Sequence, residues 1–498
     1  RGAESTTDRP SVLKRTAARG GMILLGSRLV IQAFTWLVTI QVSRLVNPLD
    51  YAVITTGMVV IGLCDLLAEA GLGRALVYRQ DLSEDETNQG FTVSVLIATG
   101  LYAFVFLAAD RIAAFENTPE AGNYLRVVAL GLFLLPFRTV AQAIVDKNLQ
   151  LVKQSYVSGI SAVVQSGLLL GMVLSGAGYW SFCVSVLAAR LLELGFLMRG
   201  SGWRPRIRRP RREAREILVF GMHLCATSLI WFAYSNADFV IVGRVAGAIL
   251  LGYYGMAFQL ITIPVQKITS TFNQVSYPIF CRIRNDRELV RDWYLRLAGI
   301  LGFFGIPAMV GLALVARDAF TLVLGAKWLP GVEAFQVMSV AGAIMVLASS
   351  IPPVFNALGR PDLNLRYVIV CALLLPSGFY VAARLWGMIG VCWVWSTVYP
   401  LIVLGFIHFT RSISGFGVRD LLHGLKPVLI GTSLMVVAVW TTHEMIADRL
   451  PMVVRLVADI LVGASTYAIY HHQVDRRVFE DLLIVLREVR GGSPATSS

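Results

Sequence analysis

Apolar runs of about 20 residues, each bounded by a short polar stretch, recur along the chain. A helix rising 1.5 Å per residue crosses the roughly 30 Å of a bilayer's hydrocarbon core in such a run, so each run reads as a spanning helix. The first group falls at 20–43, 51–72, 90–109, 123–145, 155–175 and 179–199. Beyond an Arg-rich stretch come 217–241, 250–272, 296–316, 334–356, 364–385 and 387–410, with a last pair at 427–446 and 451–471. The pattern predicts an all-α polytopic membrane protein of about fourteen transmembrane helices. Its expected organisation is a six-helix bundle at 20–199, a basic cytoplasmic linker at 200–216, a second six-helix bundle at 217–410 and an extra helix pair at 411–471. Segments 1–19 and 472–498 are then a cytoplasmic leader and a cytoplasmic tail.

Lys and Arg concentrate in cytoplasmic connections, so their alternation tests the span count independently of hydropathy. Segments expected inside hold Arg15 and Arg19, Arg74 and Arg79, Lys147 and Lys153, the run from Arg199 to Arg215, and Arg282 to Arg296. They continue with Arg360 and Arg366, then Arg411, Arg419 and Lys426, then Arg476, Arg477, Arg487 and Arg490. The opposite connections carry fewer: Arg44, Arg111, Arg126, Arg244, Arg317, Lys327, Arg384 and Arg449. An even number of spans with both ends inside follows. A weak internal repeat accompanies it: Val42, Ser43, Arg44, Asp50 and Tyr51 are echoed by Val242, Gly243, Arg244, Gly252 and Tyr253. An offset of one even-numbered helix group makes the repeats parallel, related by an axis along the membrane normal.

Composition agrees, because 56% hydrophobic and 15% charged residues cannot supply the surface of a water-soluble protein of this length. The net charge of +13 raises the question of nucleic acid. Its densest cluster, Arg199, Arg204, Arg206, Arg208, Arg209, Arg211, Arg212 and Arg215, lies between spans without interleaved aromatic residues. It therefore reads as a topology signal in contact with anionic lipid, and no nucleic-acid partner is expected. The six cysteines lie in or beside apolar runs without CxxC spacing, and His471 and His472 end the last run, where side chains commonly reach for the interface. No metal site and no cofactor are expected. Phosphate-loop, dinucleotide, zinc-protease and serine-hydrolase motifs are missing from the sequence, and the outer connections are short, so a transporter is expected rather than an enzyme.

Ionisable groups inside a span cost a few kcal/mol each on insertion scales, about 2.5–3.5 for Arg or Asp at the centre, and they mark a pathway or a pair. Arg28 and Gln32 share one face of the first span, Arg138 and Gln142 one face of the fourth, and the eighth carries Gln259, Gln266 and Lys267. Counted from the cytoplasmic ends, Arg28, Arg138 and Lys267 all fall in the inner half. They are either a cationic vestibule for a phosphate-bearing head group, with Gln32, Gln142, Gln259 and Gln266 as polar lining, or long side chains snorkelling to the interface. Asp65 and Glu69, one turn apart, are candidates for proton or sodium coupling or counter-charges for the Arg residues. Arg190 with Glu193, and Arg455 with Asp459, are spaced to neutralise each other within one helix.

Ser43, Arg44, Leu45, Pro48, Asp50 and Tyr51, followed by Gly71, Leu72, Gly73, Leu82 and Ser83, resemble the opening of bacterial polysaccharide-transport flippases. Asp238, Gly243, Arg244, Gly252, Tyr253, Tyr254, Ala257, Pro264, Tyr277, Pro278 and Arg282 are similar to that family's seventh and eighth helices, and Gly325, Lys327 and Trp328 to an outer turn. These flippases belong to the multidrug/oligosaccharidyl-lipid/polysaccharide exporter superfamily. The resemblance covers the first twelve spans and implies alternating-access movement of an undecaprenyl-pyrophosphate-linked oligosaccharide from the cytoplasmic to the periplasmic leaflet. Exopolysaccharide, capsule or O-antigen synthesis is the implied setting, in the bacterial inner membrane, with polysaccharide-assembly proteins as further partners. A cation-coupled multidrug antiporter of the same superfamily is the alternative. It would want an acidic, aromatic-lined pocket, which the Arg and Gln pairs disfavour.

Overall fold

The computed structural model describes residues 30–69, 83–147, 151–209, 226–446 and 449–474. Among them regular structure is helical throughout: α1 (Val30–Leu45), α2 (Pro48–Glu69), α3 (Glu84–Phe115), α4 (Ala121–Asp146), α5 (Leu151–Leu174) and α6 (Trp180–Ser201) form the first series. The second series comprises α7 (Ala237–Ala246), α8 (Ala248–Ile283), α9 (Arg287–Leu314), α10 (Ala326–Ala357), α11 (Pro361–Ser414), α12 (Val418–Ile446) and α13 (Met452–Gln473). Eleven helices among the described residues are long and apolar enough to cross a membrane. The expected spans at 364–385 and 387–410 are the two arms of α11, broken at Gly387, whose φ of 60° and ψ of −143° suit glycine and few other residues. Large apolar side chains such as Leu107, Leu373, Trp386 and Leu401 stand outward, at least 67% exposed, as a helix solvated by lipid requires.

Contacts divide the chain into two compact units, Arg1–Asn47, Cys64–Ala109 and Gly122–Cys225 in the first, Pro48–Leu63, Asp110–Ala121 and Ala226–Ser498 in the second. The second unit thus takes the start of α2 and the α3–α4 connection together with the later helices.

In the first unit, Phe91 of α3, Val140 and Ala143 of α4, and Trp203 make a buried cluster. Trp203 Nε1 donates to Asn88 Oδ1 (3.2 Å), the Arg206 and Arg208 amides donate to Asn88 and Thr92, and the Arg208 guanidinium pairs with Asp85. The start of the basic linker is thus strapped to α3 by its backbone, leaving Arg204, Arg206 and Arg209 exposed. Arg211, Arg212 and Arg215 lie outside the described residues.

The two copies of the weak repeat share a local layout of helix, short break and helix, Leu45 to Pro48 and Ala246 to Ala248. The repeat-related Tyr51 and Tyr253 both set their rings edge-on to Trp328, at 5.8 and 6.0 Å. Gly252 lets α8 touch α2, since a Cβ there would lie 1.9 Å from the Pro48 carbonyl oxygen. His471 is fully buried against Phe303, Tyr467 and Tyr470, so it packs in the protein instead of reaching an interface, while His472 is exposed.

Candidate functional site

Three polar assemblies sit where apolar packing would be the default. The first lies within the first unit. Arg138 of α4 bonds Glu193 of α6 through Nε (3.3 Å) and a terminal nitrogen (3.4 Å), and Arg190 of α6 bonds Asp65 of α2 at 2.6 Å. Arg190 and Glu193 share a helical face, and the sequence pairs them with each other. The structure corrects that: each turns to a different neighbouring helix, giving a ladder from Asp65 through Arg190 and Glu193 to Arg138. Beside it a cavity of about 260 Å³ is lined by Ser158, Ser161, Gln165, Arg190 and Glu193, with the buried Ser161 hydroxyl lacking a partner.

The sequence-predicted site residues divide accordingly. Arg28 lies outside the described residues. Gln32 is on α1 and has interactions of its own. Gln142 donates to Asp146 Oδ1 at 2.7 Å. Asp65 pairs with Arg190, and Glu69 ends α2. Gln259 is half-buried and Gln266 and Lys267 are exposed on α8, in the second unit. The structure therefore brings Arg138 and Asp65 onto one ladder and places Lys267 in a different unit.

The second assembly is a groove of about 950 Å³ within the second unit, between the end of α11 and α12. One end is basic, lined by His408, Arg411, Arg419, His423 and Lys426, and its wall continues through Leu429, Ile430, Leu434 and Val437. Asp420, also in the lining, is committed to Arg291 (2.8 Å) and the Gly417 amide (2.8 Å). The cations are left in excess, on residues the positive-inside pattern assigns to the cytoplasmic side.

The third assembly is a fully buried carboxylate that the sequence reading enters only as a family marker. Asp238 of α7 accepts from Tyr254 Oη (2.5 Å), Trp395 Nε1 (2.8 Å) and the Phe239 amide (2.9 Å). A lone acid in the expected span 217–241 is the signal that could have found it.

Arg455 and Asp459 are also re-partnered. Arg455 grips Asp318 through both oxygens (2.6 and 2.7 Å), while Asp459 takes His443 Nδ1 at 2.7 Å. Asp318, His443 and Asp459 bring ligand-type atoms within 4.8 Å of one another. Arg455 already compensates Asp318, which makes the group a clamp from the α9–α10 connection to the final helix pair.

Long apolar helices, a two-copy helical layout and charge clusters held between helices define a multi-pass membrane transporter fold. Residues 41–333 match the family described as "Polysaccharide biosynthesis protein", more than half of the chain, and the chain belongs to that family. It is 24% identical over 358 residues to "Lipopolysaccharide biosynthesis protein WzxC" of Escherichia coli, covering 70% of this chain and 71% of that protein. Among solved structures, "Lipid II flippase MurJ" in an inward closed conformation superposes with a TM-score of 0.77 at 14% identity, over 92% of this chain and all of that one. An inward-facing multidrug resistance MATE transporter of the MOP superfamily reaches 0.57 at 15% identity, over 80% of this chain and 95% of that one. The all-helical polytopic fold is shared with both, and it matches the lipid flippase more fully than the multidrug transporter.

Proposed function

We propose that this protein is a lipid flippase, not an enzyme, that moves an oligosaccharide carried on a polyprenyl pyrophosphate to the outer leaflet of the bacterial inner membrane during surface-polysaccharide synthesis. The observation that carries this reading is the groove of the second unit, cationic at one end and apolar along its wall. A lipid-linked sugar has the complementary chemistry: pyrophosphate needs fixed cations when it leaves water, and a polyprenyl tail needs an apolar track. Relatives named for polysaccharide biosynthesis and the fuller structural match to a lipid flippase support the same reading over the multidrug antiporter. In the first unit, Arg138 spends Nε and one terminal nitrogen on Glu193, leaving its other terminal nitrogen for a phosphate oxygen. Arg28 and Lys267 are assigned the same pyrophosphate-binding role, and Gln32, Gln142, Gln259 and Gln266 the polar lining.

The test reconstitutes full-length protein with a fluorescent polyprenyl-pyrophosphate oligosaccharide and measures its arrival in the outer leaflet. Arg411→Gln with Lys426→Gln is expected to slow flipping about tenfold, the value of roughly 1.4 kcal/mol of lost head-group binding, at unchanged protein level. Wild-type flipping by the double variant would remove the groove from the pathway.

Both termini are assigned to the cytoplasm, with anionic lipid at the exposed arginines of the linker and polysaccharide-assembly proteins as further partners. Ser175→Cys and Arg317→Cys, both at exposed positions, are expected to react with an impermeant thiol reagent from outside, and Arg209→Cys only after the membrane is opened. The reverse labelling would invert the topology.

A further inference from the structure

Within the second unit, the start of α2 and the α3–α4 connection close onto the corner between α7 and α8. Asn117, held at a φ of 54°, donates from Nδ2 to the Gly243 and Arg244 carbonyls (3.2 Å each), and Arg244 returns a bond to the Phe115 carbonyl (3.3 Å). The positive-inside pattern puts this closure on the extracytoplasmic side. At its centre is Glu116, 4% exposed, with its Cβ 3.5 Å from where a Gly243 side chain would begin. Its Oε2 accepts from Thr56 Oγ1 at 2.6 Å, and Thr56 is itself buried.

Among the described residues no cation pairs with this carboxylate. The charged groups on the surrounding elements are Asp50 on α2, Asp238 on α7, Arg244 at the corner and Lys327 beside Trp328, with Asp110, Arg111 and Glu120 on its own segment. None of them bonds to Glu116: Asp238 is committed to Tyr254 and Trp395, and the Arg244 guanidinium lies 5.1 Å from the Phe115 ring centroid. A buried carboxylate with one hydroxyl for company is disfavoured as an anion.

We propose that Glu116 is a proton-binding site, and that the extracytoplasmic closure forms around its neutral form and opens around its charged one. The proposal rests on the transport reading above, because only a carrier must open and reseal this end. Burial pushes the Glu116 carboxyl up to about 7 in the closed form, the Thr56 bond pulling it partly back, whereas a water-exposed glutamate titrates near about 4.3. Below the lower value both forms are protonated and the closure loses nothing. Between the two values the closed form binds more protons than the open form, so closure weakens as pH rises. Above about 7 both forms are charged and the loss is complete.

The experiment places spin labels at Leu49→Cys and Ile249→Cys, exposed positions at the starts of α2 and α8, in full-length protein otherwise free of cysteine and reconstituted in vesicles. The interlabel distance is followed from about pH 4.5 to about pH 8. The ratio of short to long distances is expected to fall at least tenfold and to level off above about 7. Glu116→Gln should keep the short distance throughout. Thr56→Val, which removes the bond favouring the anion but keeps the shape, should move the levelling point to higher pH. A pH-independent ratio in the wild-type protein, or a Glu116→Gln variant titrating like it, overturns the proposal. So does an unmoved levelling point in a folded Thr56→Val protein. The distances need no substrate. A protein that titrates as described but moves no lipid-linked sugar would refute the transport reading and leave the proton site standing.

Discussion

Replacing Asp238 by leucine is expected to lower the stability of the protein by about 3–5 kcal/mol. The carboxylate takes hydrogen bonds from Tyr254, Trp395 and the Phe239 amide and is fully buried. Leucine removes the acceptor and leaves three donors where water does not reach, each costing about 1–3 kcal/mol less any relaxation. Asp238→Asn should cost less, because one carbonyl oxygen can still face Tyr254 and Trp395 while the new amide group opposes only the Phe239 N–H. The check is thermal unfolding of purified protein in lipid or detergent, with membrane abundance alongside. If Tyr254→Phe and Trp395→Phe are added to Asp238→Leu, the combined loss should fall well short of the sum, since removed donors no longer need an acceptor. Strict additivity would show that the three groups do not act as a unit.

Asp238 also shows which part of this molecule is legible in its sequence. Helices are, because length and apolarity alone decide whether a segment can cross hydrocarbon, and that signal separates the arms of α11 on either side of Gly387. Partners are not. The i, i+3 spacing of Arg190 and Glu193 says that the two could touch, but a long side chain can equally reach sideways, and Asp65 and Arg138 on neighbouring helices win. The same holds for Arg455, which reaches Asp318, 137 residues away in sequence. Glu116 is the extreme case. In sequence it is one acid in a short polar connection, indistinguishable from Glu120 three positions past Asn117. Only the return of α2 and of the α7–α8 corner buries it, and burial by distant segments leaves no local pattern.

Arg138→Ala is expected to abolish delivery of lipid-linked oligosaccharide to the outer leaflet, with the protein still present in the membrane. A pyrophosphate leaving water needs a fixed cation, and guanidinium binds it with paired, directional hydrogen bonds; Arg138→Lys should therefore recover only part of the activity, because an ammonium lacks the fork. The ion pair with Glu193 supplies a rival account, in which Arg138 serves only to neutralise a carboxylate inside the bundle. The two accounts part on the double variant. If neutralisation is all that Arg138 does, Glu193→Gln removes the need for it, and Arg138→Ala with Glu193→Gln should flip like the wild type. If Arg138 binds phosphate, the double variant stays inactive, while Glu193→Gln alone frees the whole guanidinium and leaves flipping intact. The side chain of Arg138 is 45% exposed against 21% for Glu193, so the cation is the more open partner of the pair, as a group that must meet a passing head group has to be. Restored flipping in the double variant at normal abundance would take Arg138 out of the substrate path and leave it as a structural counter-ion.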